Sequence, residues 1–262
     1  MAFSESLLRG AAAPIVIAHR GASRRAPENT MPAFEAAFAD GALWIETDVQ
    51  PTADDALVLL HDDDVDRTTD GTGAIRALTA ADAAMLDTGS WFGDEFVGTR
   101  IPLLTELLAE ITGDRRLLLE IKGEHTRDQL ALLLDLIERS GTGARVLLQS
   151  FELSVLRTLR TLRPRDPFGL LVEVLDADPV ATCHALGATA YNPDVTALLR
   201  RPAVVAELHA AGIATTPWTA DAPDQWAALT ALGVDGIITN RPAELVAWQT
   251  ARRVEQADRP RT

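Results

Sequence analysis

Along the chain, short apolar runs alternate with longer segments whose apolar positions recur at helical spacing. The first run, Ile15-Val16-Ile17-Ala18, opens after Pro14 and closes at His19-Arg20-Gly21. A stretch of this length and flanking reads as a buried parallel strand. Thr30 as N-cap and Pro32 in the first turn then start a helix that carries Ala33-Phe34-Glu35-Ala36-Ala37-Phe38 to a stop at Gly41. Strand two runs from Trp44 to Val49, and another apolar run, Leu57 to His61, follows after Thr52-Ala53-Asp54-Asp55. That gap is too short for a helical crossover, so the two runs pair as an antiparallel hairpin. A turn centred between Asp54 and Asp55 would set His61 opposite Asp48.

The pattern breaks down between Asp62 and Arg100, where Arg67-Thr68-Thr69-Asp70-Gly71-Thr72-Gly73 is loop chemistry and Trp91-Phe92-Gly93 with Phe96 forms an aromatic patch. A stretch this long is expected to be a functional insertion, at about residues 63–100, over the site. Alternation then resumes. Helices are expected over Leu103–Glu110, Arg127–Arg139, Leu153–Leu162, Pro179–Leu186, Pro202–Ala211, Asp224–Leu232 and from Pro242 onward. Strands are expected over Leu117–Lys122, Val146–Gln149, Phe168–Val172, Thr189–Asn192, Ile213–Trp218 and Gly236–Thr239. With the first two, that makes eight βα repeats beside one hairpin strand, which predicts an α/β chain closed as a (β/α)8 TIM barrel.

Composition agrees with one large core: the 262 residues are 47% hydrophobic, and a barrel of this type takes about 250 residues. A single catalytic barrel over 1–262 is therefore expected. Lys plus Arg number 24 against 38 for Asp plus Glu, a net charge of −14, which argues against sequence-independent nucleic-acid binding. An anionic ligand would have to be met by local positive charge. The single Cys183 excludes an internal disulfide and sits where a small buried hydrophobe fits. Met1 to Pro14 lacks the pattern of a secretory signal, and no apolar stretch approaches the roughly 18 residues of a spanning helix. The expectation is a cytoplasmic protein without stable membrane insertion, and no pattern fixes an oligomeric state.

Three strand ends carry chemistry. Glu46 and Asp48 alternate onto one face of their strand, and two carboxylates facing a barrel interior would be costly without a cation to join them. With Glu120 they make an all-oxygen cluster suited to Mg2+ or Ca2+ rather than Zn2+. Arg20 and Lys122 beside such a cation would hold a phosphate, and His19 and His61 supply the proton acceptor and donor that phosphodiester cleavage needs. Trp218, at a strand end, is expected to line the pocket. Asp62 is expected to orient His61, with Asp63 and Asp64 solvated, and His125, His184 and His209 to be structural.

The ordered motifs His19-Arg20-Gly21, Pro27-Glu28-Asn29-Thr30, Glu46-Thr47-Asp48-Val49-Gln50, His61-Asp62, Asp66-Arg67-Thr68-Thr69, Leu119-Glu120-Ile121-Lys122, Gln149-Ser150-Phe151, Pro217-Trp218-Thr219 and Gly233-Val234-Asp235-Gly236-Ile237-Ile238-Thr239-Asn240 together resemble the glycerophosphodiester phosphodiesterase family over nearly the whole chain. The resemblance implies a distorted barrel with a small subdomain inserted after the His61 strand. It also implies metal-dependent hydrolysis of small glycerophosphodiesters to sn-glycerol 3-phosphate and an alcohol. By the same resemblance Glu46, Asp48 and Glu120 bind the metal, His19 and His61 act as the acid/base pair, and Arg20 and Lys122 hold the phosphate. Asp54-Asp55 stands where Asp-Gly is more common, Thr219-Ala220-Asp221 where an asparagine often follows the tryptophan, and Asn240 where an aspartate is frequent. Two other readings compete: a lysophospholipase D or sphingomyelinase-D-like enzyme approached through Trp91, Phe92 and Phe96, and a barrel that binds phosphorylated ligands without turnover. Retention of both histidines argues against the second, because a phosphate binder needs no proton-transfer pair.

Overall fold

The computed structural model describes residues 13–257; most of the segment read for a secretory pattern, residues 1–12, lies outside them. Parallel strands β1 (Ile15–His19), β2 (Trp44–Pro51), β4 (Arg116–Ile121), β5 (Val146–Ser150), β6 (Phe168–Val172), β7 (Ala190–Pro193) and β8 (Gly236–Thr239) form one sheet in the order β7-β6-β5-β4-β2-β1-β8, and β3 (Leu57–Leu59) pairs antiparallel with β2. Residues 213–218 fill the place between β7 and β8. On one side Tyr191 N donates to Ala214 O and Trp218 N to Pro193 O; on the other Asp235 N donates to Thr215 O and Ile238 N to Pro217 O. These bonds close the barrel.

The strand expected there is not a regular ladder, and its own residues explain why. Thr215 N donates to Asp235 Oδ2 and Thr216 N to Asn192 Oδ1, so side chains take two of the backbone donors. Pro217 has none to give.

Helices clothe the outside. They are α1 (Met31–Ala39), α2 (Ala80–Ala83), α3 (Leu104–Glu110), α4 (Arg127–Arg139), α5 (Leu153–Leu162), α6 (Pro179–Leu186), α7 (Val195–Arg200), α8 (Val204–Ala210), α9 (Pro223–Leu232) and α10 (Pro242–Ala257). Thr30 caps α1 with Pro32 in its first turn, as expected. The large outer core joins Val16, Ile45, Leu117 and Leu119 of the strands to Phe34, Leu104, Leu130 and Leu156 of the helices. A smaller cluster, Ile17, Trp44, Leu118, Leu147, Ala190, Ala214 and Ile238, fills the barrel lumen. Side chains alternate along each strand, so the lumen-facing neighbours of these residues toward the strand ends are His19, Glu46, Glu120 and Gln149. An apolar plug thus floors a polar layer at the C-terminal end, where barrels of this kind keep their chemistry.

Two details correct the expected hairpin. The register pairs Val49 with Leu59 and Pro51 with Leu57, one residue from the expected pairing. Leu60, not His61, therefore faces Asp48, with Leu60 N on Asp48 O at 3.1 Å. The cause is the turn: Thr52 N donates to Ala56 O, which leaves three residues in the loop, and Asp55 takes a left-handed φ of 62°, the position a glycine usually fills in such turns. Second, β3 ends at Leu59, so His61 stands on a loop.

Between β3 and α3 the chain holds two short 3-10 turns and α2. Its core is small, with Val65, Ile75, Ala83 and Ile101 packed on Val58 and Leu60.

Candidate active site

Strand register assembles the site. The β1–β2 pairing sets His19 beside Glu46, β2–β4 sets Asp48 beside Glu120, and β4–β5 sets Glu120 beside Gln149. One carboxylate oxygen from each of Glu46, Asp48 and Glu120 lies within 4.8 Å of the others, and the three residues are only 1%, 1% and 7% exposed. Crowding at this depth shows in their protonation. Burial and the neighbouring carboxylates push Glu46 well above its ordinary range, and burial with Asp48 pushes Glu120 up to about 8. Asp48 goes the other way: burial opposes its charge, but Arg20, His61 and Lys122 outweigh it and hold the group low. A buried, all-oxygen donor set of this kind fits a hard divalent cation, which would replace the protons that now relieve the repulsion.

Two side-chain cations flank the cluster. Arg20 donates Nη1 to Glu28 Oε1 at 2.8 Å and places Nε 3.4 Å from Asp48 Oδ2. Lys122 Nζ lies 3.0 Å from Glu120 Oε1 and 5.9 Å from the centre of the Phe151 ring. Arg20 occupies a left-handed backbone conformation, φ 55°, uncommon for a side-chain-bearing residue. The twist turns its N–H onto Glu46 Oε2 at 3.1 Å. Gly21 follows with φ 81°, and a Cβ there would stand 2.6 Å from the Ala33 backbone, so only glycine lets β1 turn this closely over α1. Asn29, also left-handed, donates Nδ2 to Asp48 Oδ2 and accepts from Thr47 Oγ1.

Each histidine is fixed through Nδ1. Asp221 Oδ2 can only accept, so Asn240 turns its Nδ2 toward it at 2.7 Å and its Oδ1 toward His19 Nδ1, also at 2.7 Å. His19 therefore carries its proton on Nδ1 and keeps the lone pair on Nε2, which lies 3.9 Å from Glu46 Oε2. Burial, with Arg20 adding to it, drives the His19 pKa down to about 4: the ring is neutral near pH 7. His61 Nδ1 meets Asp62 Oδ1 at 2.6 Å, as the expected orienting role of Asp62 requires. Arg67 grips Asp62 through Nε at 2.6 Å and Glu28 through Nη1 and Nη2 at 3.0 and 2.7 Å. A continuous polar chain thus runs from His61 through Asp62, Arg67 and Glu28 to Arg20.

The open space above is a cavity of about 480 Å3, lined among others by His19, Arg20, Glu46, His61, Glu120, Lys122, Gln149, Phe151 and Trp218, with Asp63, Glu152 and Glu173 around it. Of the residues expected to bind metal or substrate or to transfer protons, all line it except Asp48, which lies beneath with its carboxylate in the cluster. Trp218 packs edge-on against Phe151 at 5.5 Å and donates Nε1 to Asn192 O. Gln149 is held from below by Asn192, whose amide nitrogen passes where a Cβ of Gly169 would come within 2.8 Å. Trp91, Phe92 and Phe96, in the segment between β3 and α3, pack on one another and do not line this cavity.

Glu28, Arg67, Asn240 and Asp221 escaped role assignment from sequence, although the first three lie in motifs that were legible there. Their partners stand as far as 221 positions away, and barrel closure is what joins Asn240 to His19. His125, His184 and His209 lie away from the cavity; His209 pairs with Asp235 at 2.9 Å. Cys183 is buried, and burial raises its thiol pKa to about 12.

Residues 19–244 match the profile of the glycerophosphoryl diester phosphodiesterase family. A glycerophosphodiester phosphodiesterase of Caldanaerobacter subterraneus is 35% identical over 239 residues, covering 88% of this chain and 96% of that protein. Among solved structures, an Oleispira antarctica phosphodiesterase in complex with its product sn-glycerol-3-phosphate superposes with a TM-score of 0.84 at 28% identity, covering 91% of this chain and 97% of the other. A glycerophosphodiester phosphodiesterase from Agrobacterium tumefaciens gives a TM-score of 0.80 at 28% identity, with 89% and 99% covered.

Proposed function

Because the chain belongs to the glycerophosphoryl diester phosphodiesterase family, we propose a specific division of labour among its residues in the hydrolysis of glycerophosphodiesters to sn-glycerol 3-phosphate and an alcohol. The chain is a phosphoric diester hydrolase with a (β/α)8 fold. The observation that carries the finer reading is the meeting, in one cavity, of three buried carboxylates, two cations and two histidines each anchored through Nδ1.

In this reading Glu46, Asp48 and Glu120 hold a divalent cation, Mg2+ or Ca2+, which when bound supplies Lewis-acid stabilisation of charge on the phosphoryl oxygens. Arg20 and Lys122 bind the remaining phosphate oxygens. His19, neutral and with a free Nε2 lone pair, takes the proton of the attacking oxygen, whether that belongs to water or to the substrate's neighbouring glycerol hydroxyl. His61, backed by the Asp62 carboxylate that offsets its positive charge, gives a proton to the leaving alkoxide as its P–O bond breaks. Phe151 and Trp218 offer an apolar wall to the carbon skeleton, consistent with the glycerol phosphate product found in the Oleispira enzyme. The whole chain acts as one catalytic barrel in a cytoplasmic setting, with residues 63–100 as its insertion.

No helix of the described residues is long and apolar enough to cross a membrane, and Trp91, 42% exposed, packs with Phe92 and Phe96 outside the cavity lining. Nothing in the cavity favours a lipid over a small water-soluble diester. The test is release of glycerol 3-phosphate from glycerophosphoethanolamine and glycerophosphocholine with Mg2+, Ca2+ or EDTA. Metal-dependent release is expected; release that persists undiminished in EDTA would remove the cation from the scheme.

A further inference from the structure

β2 carries a third polar residue on the face of Glu46 and Asp48: Gln50, fully buried two positions further on. Its Nε2 lies 3.1 Å from Leu60 O, 3.3 Å from His61 O and 2.6 Å from Asp62 O. Three consecutive carbonyls of the loop after β3 therefore converge on one amide nitrogen, and the backbone curls around it with the His61 and Asp62 side chains held as a hydrogen-bonded pair. The orientation of the amide follows from chemistry, since an oxygen in that position would face three acceptors.

We infer that Gln50 is a positioning residue for His61, fixing the loop that aims its ring into the cavity. This rests on the proton-transfer role proposed for His61. The loop needs such a tie because β3 ends at Leu59, so the ladder itself does not hold His61. A packing role would not call for glutamine: its Oε1 is buried without a hydrogen-bond partner among the described residues, whereas methionine would fill the same space and leave no orphaned atom. Gln50 does not line the cavity, and its side-chain hydrogen bonds go to the loop carbonyls rather than to the carboxylate cluster, so its action passes through the loop.

A double-mutant cycle on the full chain separates this from a general structural role. Gln50→Met is made in the native background and in His61→Ala, and release of glycerol 3-phosphate is followed with saturating Ca2+. The expected result is a loss of at least ten-fold in kcat in the native background, with KM within two-fold, and less than a two-fold further loss once His61 is absent. Gln50→Glu, which keeps the shape and swaps donor for acceptor, should give the same pattern. Calorimetric titration with Ca2+ should give the native affinity for both, showing an intact carboxylate cluster. Equal losses in the two backgrounds, or no loss in the native one, would overturn the inference. An unchanged kcat in His61→Ala alone would instead remove the role proposed for His61, and the positioning role with it.

Discussion

Asn240 turns its carbonyl rather than its amide nitrogen to His19, because that nitrogen is committed to Asp221. A neutral amide thus sets the tautomer of a part-buried histidine without lending it a countercharge.

Exchanging the pair, Asn240→Asp together with Asp221→Asn so that a donor still faces the new carboxylate, should change the pH behaviour more than the geometry. Asn240→Asp would still accept from Nδ1, but its charge stabilises the imidazolium, raising a pKa that now lies at about 4. Protonation of the base then begins at higher pH. The acid limb of the kcat/KM profile should move upward, measured by initial rates between pH 4 and 8. An unmoved limb would show that His19 does not supply it.

Glu120 shares its carboxylate between Lys122 and the cluster. Glu120→Gln should therefore raise the Ca2+ or Mg2+ concentration for half-maximal activity by more than about ten-fold, in line with the sensitivity of metal sites to their ligand environment. A metal dependence identical to the native protein's would exclude Glu120 as a ligand.

In EDTA the cluster should also make stability depend on pH. Glu120 titrates at about 8 folded against an ordinary 4.5, so between these values the folded state holds more protons than the unfolded one. Stability then falls as pH rises. His19, lowered from 6.5 to about 4, opposes this, because below 6.5 the unfolded state binds the extra proton. The two compete in acid; above pH 6.5 the opposing share of His19, and of His125, whose pKa is also lowered by burial, fades and the carboxylates dominate. Thermal melts in EDTA should show Tm declining from pH 6.5 to 8, and saturating Ca2+ should flatten that decline. A Tm that rises over this window would contradict the sign.

The segment between β3 and α3 hangs on Asp87, whose two carboxylate oxygens receive the backbone N–H groups of Gly89, Ser90 and Gly98, bonds that keep its pKa low. Asp87→Ala should open the segment from 88 to 99, seen as faster proteolytic nicking there and a Tm lower by roughly 2–4 °C. Nicking at the native rate would mean that the aromatic contacts suffice.

Much of this molecule can be read from its sequence where the determinants are local. The bounds of α4 and α5 follow from apolar spacing, and the placing of His19, Glu46 and Glu120 on strands follows from apolar runs broken by charge. Non-local determinants are harder to see. The one-residue register slip comes from Asp55 adopting a conformation usually left to glycine, and the irregular segment at 213–218 from the distant partners Asn192 and Asp235. The short α7 was not expected either, although Asp194 caps it by accepting from Ala197 N; six residues give too little periodicity to register. The carboxylate cluster was legible because strand alternation is local. The ties that orient its neighbours were not: Asn240 reaches His19 only through barrel closure, Arg67 meets Glu28 from 39 positions away, and Gln50 meets the carbonyls of residues 60–62 only once the chain after β3 curls back over β2.

Arg67 has a bearing on how such barrels diversify. One guanidinium from the segment between β3 and α3 joins Glu28, in the loop after β1, to the aspartate behind His61. That segment is thus not an interchangeable cassette: a chimera carrying another barrel's segment there would need to import the glutamate along with the arginine, and exchange of the segment alone should yield a folded barrel whose His61 has lost its alignment.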